Sequence, residues 1–505
     1  MRETSIRANI IANLAGKAWT SVMGLVFIPL YIKFMGIEAY GLIGIFVSLT
    51  TLFTILDMGL SSTLSRELAR LSMSRDSEQE SRDLVRTLET VYWGVGIMIG
   101  VTLVVLAPLI AQHWIRTERI PSETVQQAIM IMGLIVAVQW PVGLYEGGLV
   151  GLQQQVLLNS MRVSMATIQH GGAVLALWLI SPTILTYFTW QIFVGMVQVV
   201  LLANCLWKSL PGTGNSSVFR KTLLKKNWKF AAGMMSISVT SIILTQTDKI
   251  VLSRMLSLTL FGYYALAFNG ANSLSLLVNP VCSALFPKLS QLNMSKDSED
   301  IVSDYYHKGC QVVSIVIFPA ACVLALFSHQ ILLLWVRDPI IAQNADMLFS
   351  ALVMGSLLNA VMTMPFTLQL AYGWTKLSFS KNVIAVIVLV PLMIWLTNLY
   401  GAFGAAAVWI ILNGGYFFIE IPIMHSRVLK RDMWRWYFQD VGMPFCFVLI
   451  VVLLSRIFMP HIESFYLSLT WILATGLLAI LSAMLAVPFA REWFIRGITL
   501  WRHSV

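Results

Sequence analysis

The sequence predicts an all-α, polytopic transmembrane bundle of about fourteen spans, and three features of the 505-residue chain carry that prediction. Apolar stretches near the ~20 residues that a helix needs to cross a bilayer recur along almost the whole length. Hydrophobic residues make up 57% and charged residues 11%, where a soluble domain carries about 25% charged residues. The basic residues are also unevenly placed, with 26 of the 34 lysines and arginines in alternate loops and 6 in the opposite set. Cytoplasmic loops gather Lys and Arg, so the split sets both termini on the cytoplasmic side and requires an even number of spans.

Taken in order, residues 1–9 are polar and the first span runs over 10–32. That run is too long for a signal-peptide core and lacks a small-residue cleavage site, so the helix is expected to stay. The second span, 40–59, ends in Leu56-Asp57-Met58-Gly59. Residues 60–86, with Leu64, Leu68, Leu71 and five arginines, read as an amphipathic helix lying on anionic headgroups. Spans at 88–110, 126–149, 156–180 and 184–206 complete a first lobe, residues 1–206. The basic segment 207–229, containing Pro211-Gly212-Thr213-Gly214-Asn215, reads as a cytoplasmic interlobe linker. Spans at 230–253, 260–285, 309–334, 345–369, 381–398 and 402–424 form a second lobe, 230–424. Asp432 to Tyr437, rich in Trp and Arg, looks like an interfacial anchor entering a final pair, 440–459 and 466–488, within an appended segment 425–505.

A weak repeat supports the two lobes. At an offset of 221, Gly41-Leu42 falls on Gly262-Tyr263, Lys33 on Arg254, and the segment Ser62–Leu68 on Ser283–Leu289. Six spans separate the copies, so both run in the same direction, the plan of parallel repeats about an axis along the membrane normal.

Charges inside apolar spans are expensive and mark cavities or pairs. Asn9, Asn13, Lys17, Ser21 and Gly24 form one stripe on the first helix. Lys17 lies about two turns, ~10 Å, from the cytoplasmic end, where it either lines an anion-attracting cavity or snorkels to the interface. Ser238, Ser241, Thr245 and Asp248 share a face of the seventh span. Asp248 and Lys249 point about 100° apart on a helix and are expected to need separate partners. Asn269, Asn272 and Asn279, with Tyr263 and Tyr264, sit on the eighth span and serve either as helix glue or as substrate contacts. Asp57, Glu146 and Arg162 cluster near the cytoplasmic side. The carboxylates there either bind a coupling proton or pair with Lys17 or Arg162. Glu420 and His170 are weaker candidates.

Several function classes are excluded. No G-x-x-x-x-G-K-[ST] loop, H-E-x-x-H run, nucleophile elbow or Cys/His ligand cluster is present. The five cysteines are scattered, so no metal and no cofactor is expected. Loop placement accounts for the net charge of +10 without a nucleic-acid partner. A secondary transporter fits better than an enzyme.

Ile28-Pro29-Leu30, Tyr40-Gly41-Leu42 and Leu56-Asp57-Met58-Gly59-Leu60 resemble the opening of the bacterial polysaccharide transporter family, the lipid-linked oligosaccharide flippases. Asp248 to Leu252, Phe261-Gly262-Tyr263-Tyr264-Ala265 and Leu285-Phe286-Pro287-Lys288-Leu289-Ser290 agree with its second half. The resemblance implies the multidrug/oligosaccharidyl-lipid/polysaccharide exporter fold, two six-helix lobes around an alternately opening cavity, in the bacterial inner membrane. It implies an undecaprenyl-diphosphate-linked oligosaccharide (O-antigen, capsule or exopolysaccharide unit) as substrate, with membrane lipids and the polysaccharide polymerase and chain-length machinery as partners. In that frame Lys17, Lys249 and Arg162 are expected to draw in the diphosphate. Asn13, Asn269, Asn272 and Tyr263 are expected to touch sugar or line the cavity, and Asp57, Glu146 or Asp248 to couple an ion. The family often places arginines in its cavity, and this chain has few beyond Arg162. A multidrug cation exporter would instead show an acidic cavity. A membrane-embedded sugar polymerase or ligase would need a large external loop, and only 111–125 and 335–346 are substantial here.

Overall fold

A computed structural model describes residues 6–72, 78–212, 216–292, 299–460 and 464–491. Hydrocarbon cannot hydrogen-bond a free backbone group, so a chain this apolar closes its backbone bonds within helices. Among the described residues the structure is helical nearly throughout, and its one isolated bridge joins Arg116 to Ser257.

The chain opens with α1 (Ile6–Val26) and α2 (Ile28–Phe53). Phe27 carries the helix between them, since Phe27 N–H donates to the Met23 carbonyl and Tyr31 N–H to that of Phe27. The bend follows from Pro29, which has no N–H for the Leu25 carbonyl. The true break comes at Gly36, where φ 84° and ψ 166° end one span and begin the next, a conformation that glycine adopts without strain. After a 3₁₀ turn over Thr54–Asp57 and two left-handed residues, Met58 and Gly59, comes α3 (Leu60–Leu71). Then follow α4 (Glu78–His113), α5 (Ser122–Gln139), α6 (Val142–Gly151), α7 (Gln155–Leu179), α8 (Ile184–Ser209) and α9 (Lys221–Met255).

The remaining helices are α10 (Leu258–Asn272), α11 (Leu274–Leu292), α12 (Glu299–Leu326), α13 (Ser328–Val336), α14 (Pro339–Ala371) and α15 (Thr375–Tyr400). They end with α16 (Ala402–Gly415), α17 (Ile421–Arg427), α18 (Met433–Arg435), α19 (Met443–Ile457) and α20 (Phe465–Ala486). Stretches of π-helix at Tyr416–Glu420 and Trp436–Gly442 lead into Pro422 and Pro444. Among the described residues, ten helical segments are long and apolar enough to cross a membrane. The spans expected at 10–32, 156–180, 230–253 and 260–285 are helical but are not among those ten, the first of them overlapping one only from Ile28 onward.

The chain divides into two compact units, residues 1–262 and 263–505. In the first, α9 packs on α2, α3 and α4, so the compact units part after Gly262 while the sequence repeat places its linker at 207–229. The leucine face of α3 is spent on protein and not on headgroups. Leu64 and Leu68 are fully buried against Leu84, Leu88, Leu144 and Leu206, which corrects the amphipathic reading of this segment. Only the arginine face remains exposed, with Arg66 and Arg70 both paired to Glu67 at 2.6 and 2.7 Å.

The 221-residue repeat has a structural counterpart. A Cβ on Gly41 would lie 2.6 Å from the Leu258 carbonyl oxygen, and one on Gly262 would run into that of Ile37. The same shift carries Ile37 to Leu258 and Gly41 to Gly262, so the two contacts are exchanged by the repeat. The turns before α7 and α15 also match: Gln153 has φ 61° and Gly373 φ 67°, 220 residues apart.

In the second unit, His307, Gln311 and Ser314 of α12 bind the segment that leads into α19. His307 Nδ1 pairs with Asp440, and Gln311 Nε2 donates to its other carboxylate oxygen at 2.8 Å. Pro444 frees the Asp440 carbonyl, which accepts from Ser314 Oγ at 2.5 Å. The helix pair α19 and α20 is thereby fixed to the rest of its unit.

The glycine crossing makes a direct prediction. Gly41→Val and Gly262→Val each force a side chain onto a backbone oxygen, with a loss of about 1–3 kcal/mol from overpacking. The loss is read as a lowered Tm in detergent. Gly476→Ala, whose Cβ meets nothing within 4 Å, leaves Tm unchanged.

Candidate functional site

The polar stripe of α1 faces α7, and Gly16 lets the two helices approach, since a Cβ there would meet Asn159 Oδ1 at 2.6 Å. Asn13 Nδ2 donates to Gln155 Oε1 at 2.9 Å and Asn13 Oδ1 accepts from Asn159 Nδ2 at 2.6 Å. Both ends of the Asn13 amide therefore hold helices together. The side chain of Asn9 lies outside the described residues, as do those of Ser238 and Ser241.

One turn further along, α1 and α7 part around a cavity of about 450 Å³. Lys17, Thr20, Arg162, Gln169, His170 and Gln198 contribute its polar lining. Arg162 binds Glu146 of α6 through two hydrogen bonds, Nε to Oε1 at 3.0 Å and Nη2 to Oε2 at 2.6 Å. Planar fork-to-carboxylate pairing of this kind fixes orientation as well as charge. His170 Nδ1 meets Tyr31 OH at 2.9 Å, and Gln169 Nε2 donates to Gln191 Oε1 at 2.8 Å. Lys17 differs from its neighbours. Among the described residues no hydrogen bond or ion pair engages its amine, and no carboxylate lines this cavity.

A second cavity, about 420 Å³, lies at the C-terminal end of α2. Asp57 accepts hydrogen bonds there from Tyr92 OH and, at 3.0 Å, from Ser61 Oγ. Thr50, Thr54, Gln139, Trp140 and Gly143 also line it. The Tyr92 and Trp140 ring centroids are 6.4 Å apart. Asp57 is paired with no cation among the described residues, whereas Glu146 is paired with Arg162.

Asp248 and Lys249, expected to need separate partners, also contact each other. Lys249 Nζ reaches both Asp248 oxygens at 3.0 Å and the Thr245 carbonyl at 3.0 Å. The flexible four-carbon stem spans the angle between adjacent helical positions. Asn269, Asn272 and Tyr263 lie on α10 within residues 263–505 and are not in the lining of either cavity. Asn272 is exposed and the other two are half-buried.

Sequence reasoning did not find Tyr92, Gln139, Trp140 or Gln198, each of which reads in isolation as an ordinary residue of an apolar helix. It also singled out no role for Lys381, the first residue of the span expected at 381–398. Lys381 Nζ is bound to Glu420 at 2.6 and 2.7 Å, with Gln369 Nε2 on the same carboxylate at 2.8 Å and the Tyr416 ring 4.3 Å away. Outside the spans, the Glu118 carboxyl is held below its usual range by hydrogen bonds from Ser257 and Thr259.

With this geometry in hand, comparison with known proteins is informative. The family described as "Polysaccharide biosynthesis protein" matches residues 6–293. A Shigella flexneri protein, named provisionally as an O-antigen transporter, is 20% identical over 80% of this chain and 94% of its own length. The lipopolysaccharide biosynthesis protein WzxC of Escherichia coli is 22% identical over 86% of this chain and 84% of its own. Among solved structures, the lipid II flippase MurJ aligns with TM-score 0.71 at 14% identity, covering 95% of this chain and 99% of that one. The fold is thus that of the multidrug/oligosaccharidyl-lipid/polysaccharide exporters.

The Arg162–Glu146 pair is partly solvated, at 32% and 22% side-chain exposure, so breaking it costs less than the full buried-pair penalty. Arg162→Leu is expected to lower stability by about 1–3 kcal/mol, measured by thermal unfolding. Adding Glu146→Leu recovers most of that loss, because no unpaired carboxylate remains.

Proposed function

The chain belongs to the polysaccharide biosynthesis protein family, and from that membership we propose that it is a flippase for undecaprenyl-diphosphate-linked oligosaccharide. The cargo is an O-antigen, capsule or exopolysaccharide unit, moved from the cytoplasmic to the periplasmic leaflet of the bacterial inner membrane. The names of two relatives, an O-antigen transporter and a lipopolysaccharide biosynthesis protein, support this substrate class. The protein is a multi-pass membrane protein, and in this reading both termini are cytoplasmic. Halves 1–206 and 230–424 alternate access across the linker 207–229, with 425–505 appended. The protein acts as a transporter and not as an enzyme, and delivers its cargo to the polymerase and chain-length machinery.

Lys17 carries the reading. An ammonium group inside a transmembrane helix costs about 3 kcal/mol on insertion scales, and among the described residues no carboxylate offsets it. A diphosphate meets the opposite difficulty, since its charge is what resists the hydrocarbon core. Each relieves the cost of the other. Arg162, held in place by Glu146, offers its remaining N–H groups beside Lys17, and Gln169 and Gln198 supply neutral donors. Lys249 contributes to the approach of the anion only when its contact with Asp248 opens. A multidrug cation exporter would need acidic lining, and Lys17 and Arg162 are the charged residues that line this cavity.

Ion coupling falls to Asp57. Of the three candidate carboxylates, Glu146 and Asp248 are held by neighbouring cations, and Asp57 is held by hydroxyl groups.

Reconstitution into liposomes with lipid-linked oligosaccharide tests the assignment, scored by exposure of the sugar to periodate on one face. Wild type moves the lipid, Lys17→Ala slows it about tenfold or more, a loss of ~1.4 kcal/mol, and Lys17→Arg retains most of the rate. A wild-type rate in Lys17→Ala removes that lysine from the mechanism. If the wild type moves no lipid and exports a lipophilic cation under an ion gradient, the multidrug function replaces this one. Asp57→Asn is expected to transport at a rate that no longer responds to an imposed pH or sodium gradient.

A further inference from the structure

We propose that the cavity beside Asp57 is the sugar subsite of this transporter, separate from the diphosphate site at Lys17. The inference rests on the flippase reading and adds to it the place where the glycan is recognised.

The two cavities differ in charge. Lys17 and Arg162 line one, and among the described residues the charged residue lining the other is Asp57, through its carboxylate. A carboxylate repels a diphosphate, so the second cavity is unsuited to that end of the substrate. Its remaining lining matches a sugar. The half-buried Trp140 indole offers an aromatic surface of the kind on which the C–H face of a pyranose packs, while Tyr92, 2% exposed, serves through its hydroxyl on Asp57. The volume of about 420 Å³ falls in the range of small-molecule sites.

Hydrogen-bond capacity agrees. A carboxylate has about four acceptor positions, and Tyr92 and Ser61 occupy two of those on Asp57. Thr50 and Thr54 donate their hydroxyl protons to the Val47 and Thr51 carbonyls at 2.9 and 2.6 Å, which leaves their oxygens to accept. The Gln139 amide makes no hydrogen bond among the described residues. A surface rich in free acceptors suits a ligand rich in hydroxyl donors. Gly143 keeps the space open, for a Cβ placed there meets nothing within 4 Å.

That open space supplies the test. Gly143→Leu extends a side chain into the cavity from a Cβ that meets no protein atom, and it raises helix propensity by replacing glycine. Gln139→Leu removes a polar group whose loss breaks no bond in the protein. Both variants are reconstituted beside wild type and given lipid-linked oligosaccharide extracted from the encoding bacterium lacking this gene. Initial flipping rates are measured with and without inorganic pyrophosphate as competitor.

The expected result is a rate at least tenfold lower in Gly143→Leu and several-fold lower in Gln139→Leu. The half-inhibitory pyrophosphate concentration stays within twofold of wild type in both, while Lys17→Ala raises it. A wild-type rate in Gly143→Leu overturns the sugar subsite. So does a shift in pyrophosphate inhibition as large as that of Lys17→Ala, because one shared site would then bind both ends. Failure of the wild type to move the lipid overturns the flippase reading itself, and is told apart by the absence of any rate to compare.

Discussion

In hydrocarbon an ionised side chain must find a counter-charge, reach water, or face a cavity that holds water, and this constraint organises the molecule. Arg162 meets it through Glu146, Lys249 through Asp248, and Lys381 through Glu420. In each pair the charges cancel locally and the helices that carry them are tied together. Lys17 and Asp57 meet the constraint differently, each in the lining of a cavity and without an ionic partner among the described residues. A charge neutralised within the protein is part of the scaffold. A charge left facing a cavity is available to a ligand.

Backbone interruptions place these groups. Gly36 separates the first two spans, so the lysine of one and the aspartate of the next are carried on different helices. Asp57 ends a 3₁₀ turn, followed by left-handed Met58 and Gly59, and the chain then enters the packed helix α3. Pro141 divides α5 from α6, with Gln139 and Trp140 on one side of the break and Gly143 on the other. Breaks at Gly and Pro reposition side chains that a straight helix would send elsewhere.

Ten of the fourteen expected spans were legible among the described residues because twenty apolar residues in a row leave a chain few alternatives, and the repeat was legible because Gly41 and Gly262 answer to one contact geometry. Lys17 was visible as a charge on a polar stripe, and Asp57 as a carboxylate near a helix end. Other features were hidden for physical reasons. The leucines of α3 fit a lipid surface and a protein core equally well, and only tertiary packing decides between them. The Asp248–Lys249 contact depends on side-chain reach, which a helical wheel does not represent. His307 and Asp440 lie 133 residues apart, so neither announces the other. Trp140 and Gln139 gain meaning only from the cavity they border.

The repeat also sets the basic cavity of the first half beside its equivalent in the second. Shifted by about 221, Arg162 falls within two residues of Lys381, and Gln198 within one residue of Glu420. Each half therefore carries a cation at the start of its fifth helix. In the second half the counter-charge comes from the position equivalent to Gln198, and Glu420, Gln369 and the Tyr416 ring enclose Lys381. In the first half the counter-charge comes from Glu146 of α6, and the Gln198 position stays neutral and lines the cavity. Drawing the carboxylate from a different helix leaves the position beside the cation neutral, and the cation lines a cavity. Duplication supplied two equivalent scaffolds, and the place of a single carboxylate separates the one that holds a charge in from the one that presents it.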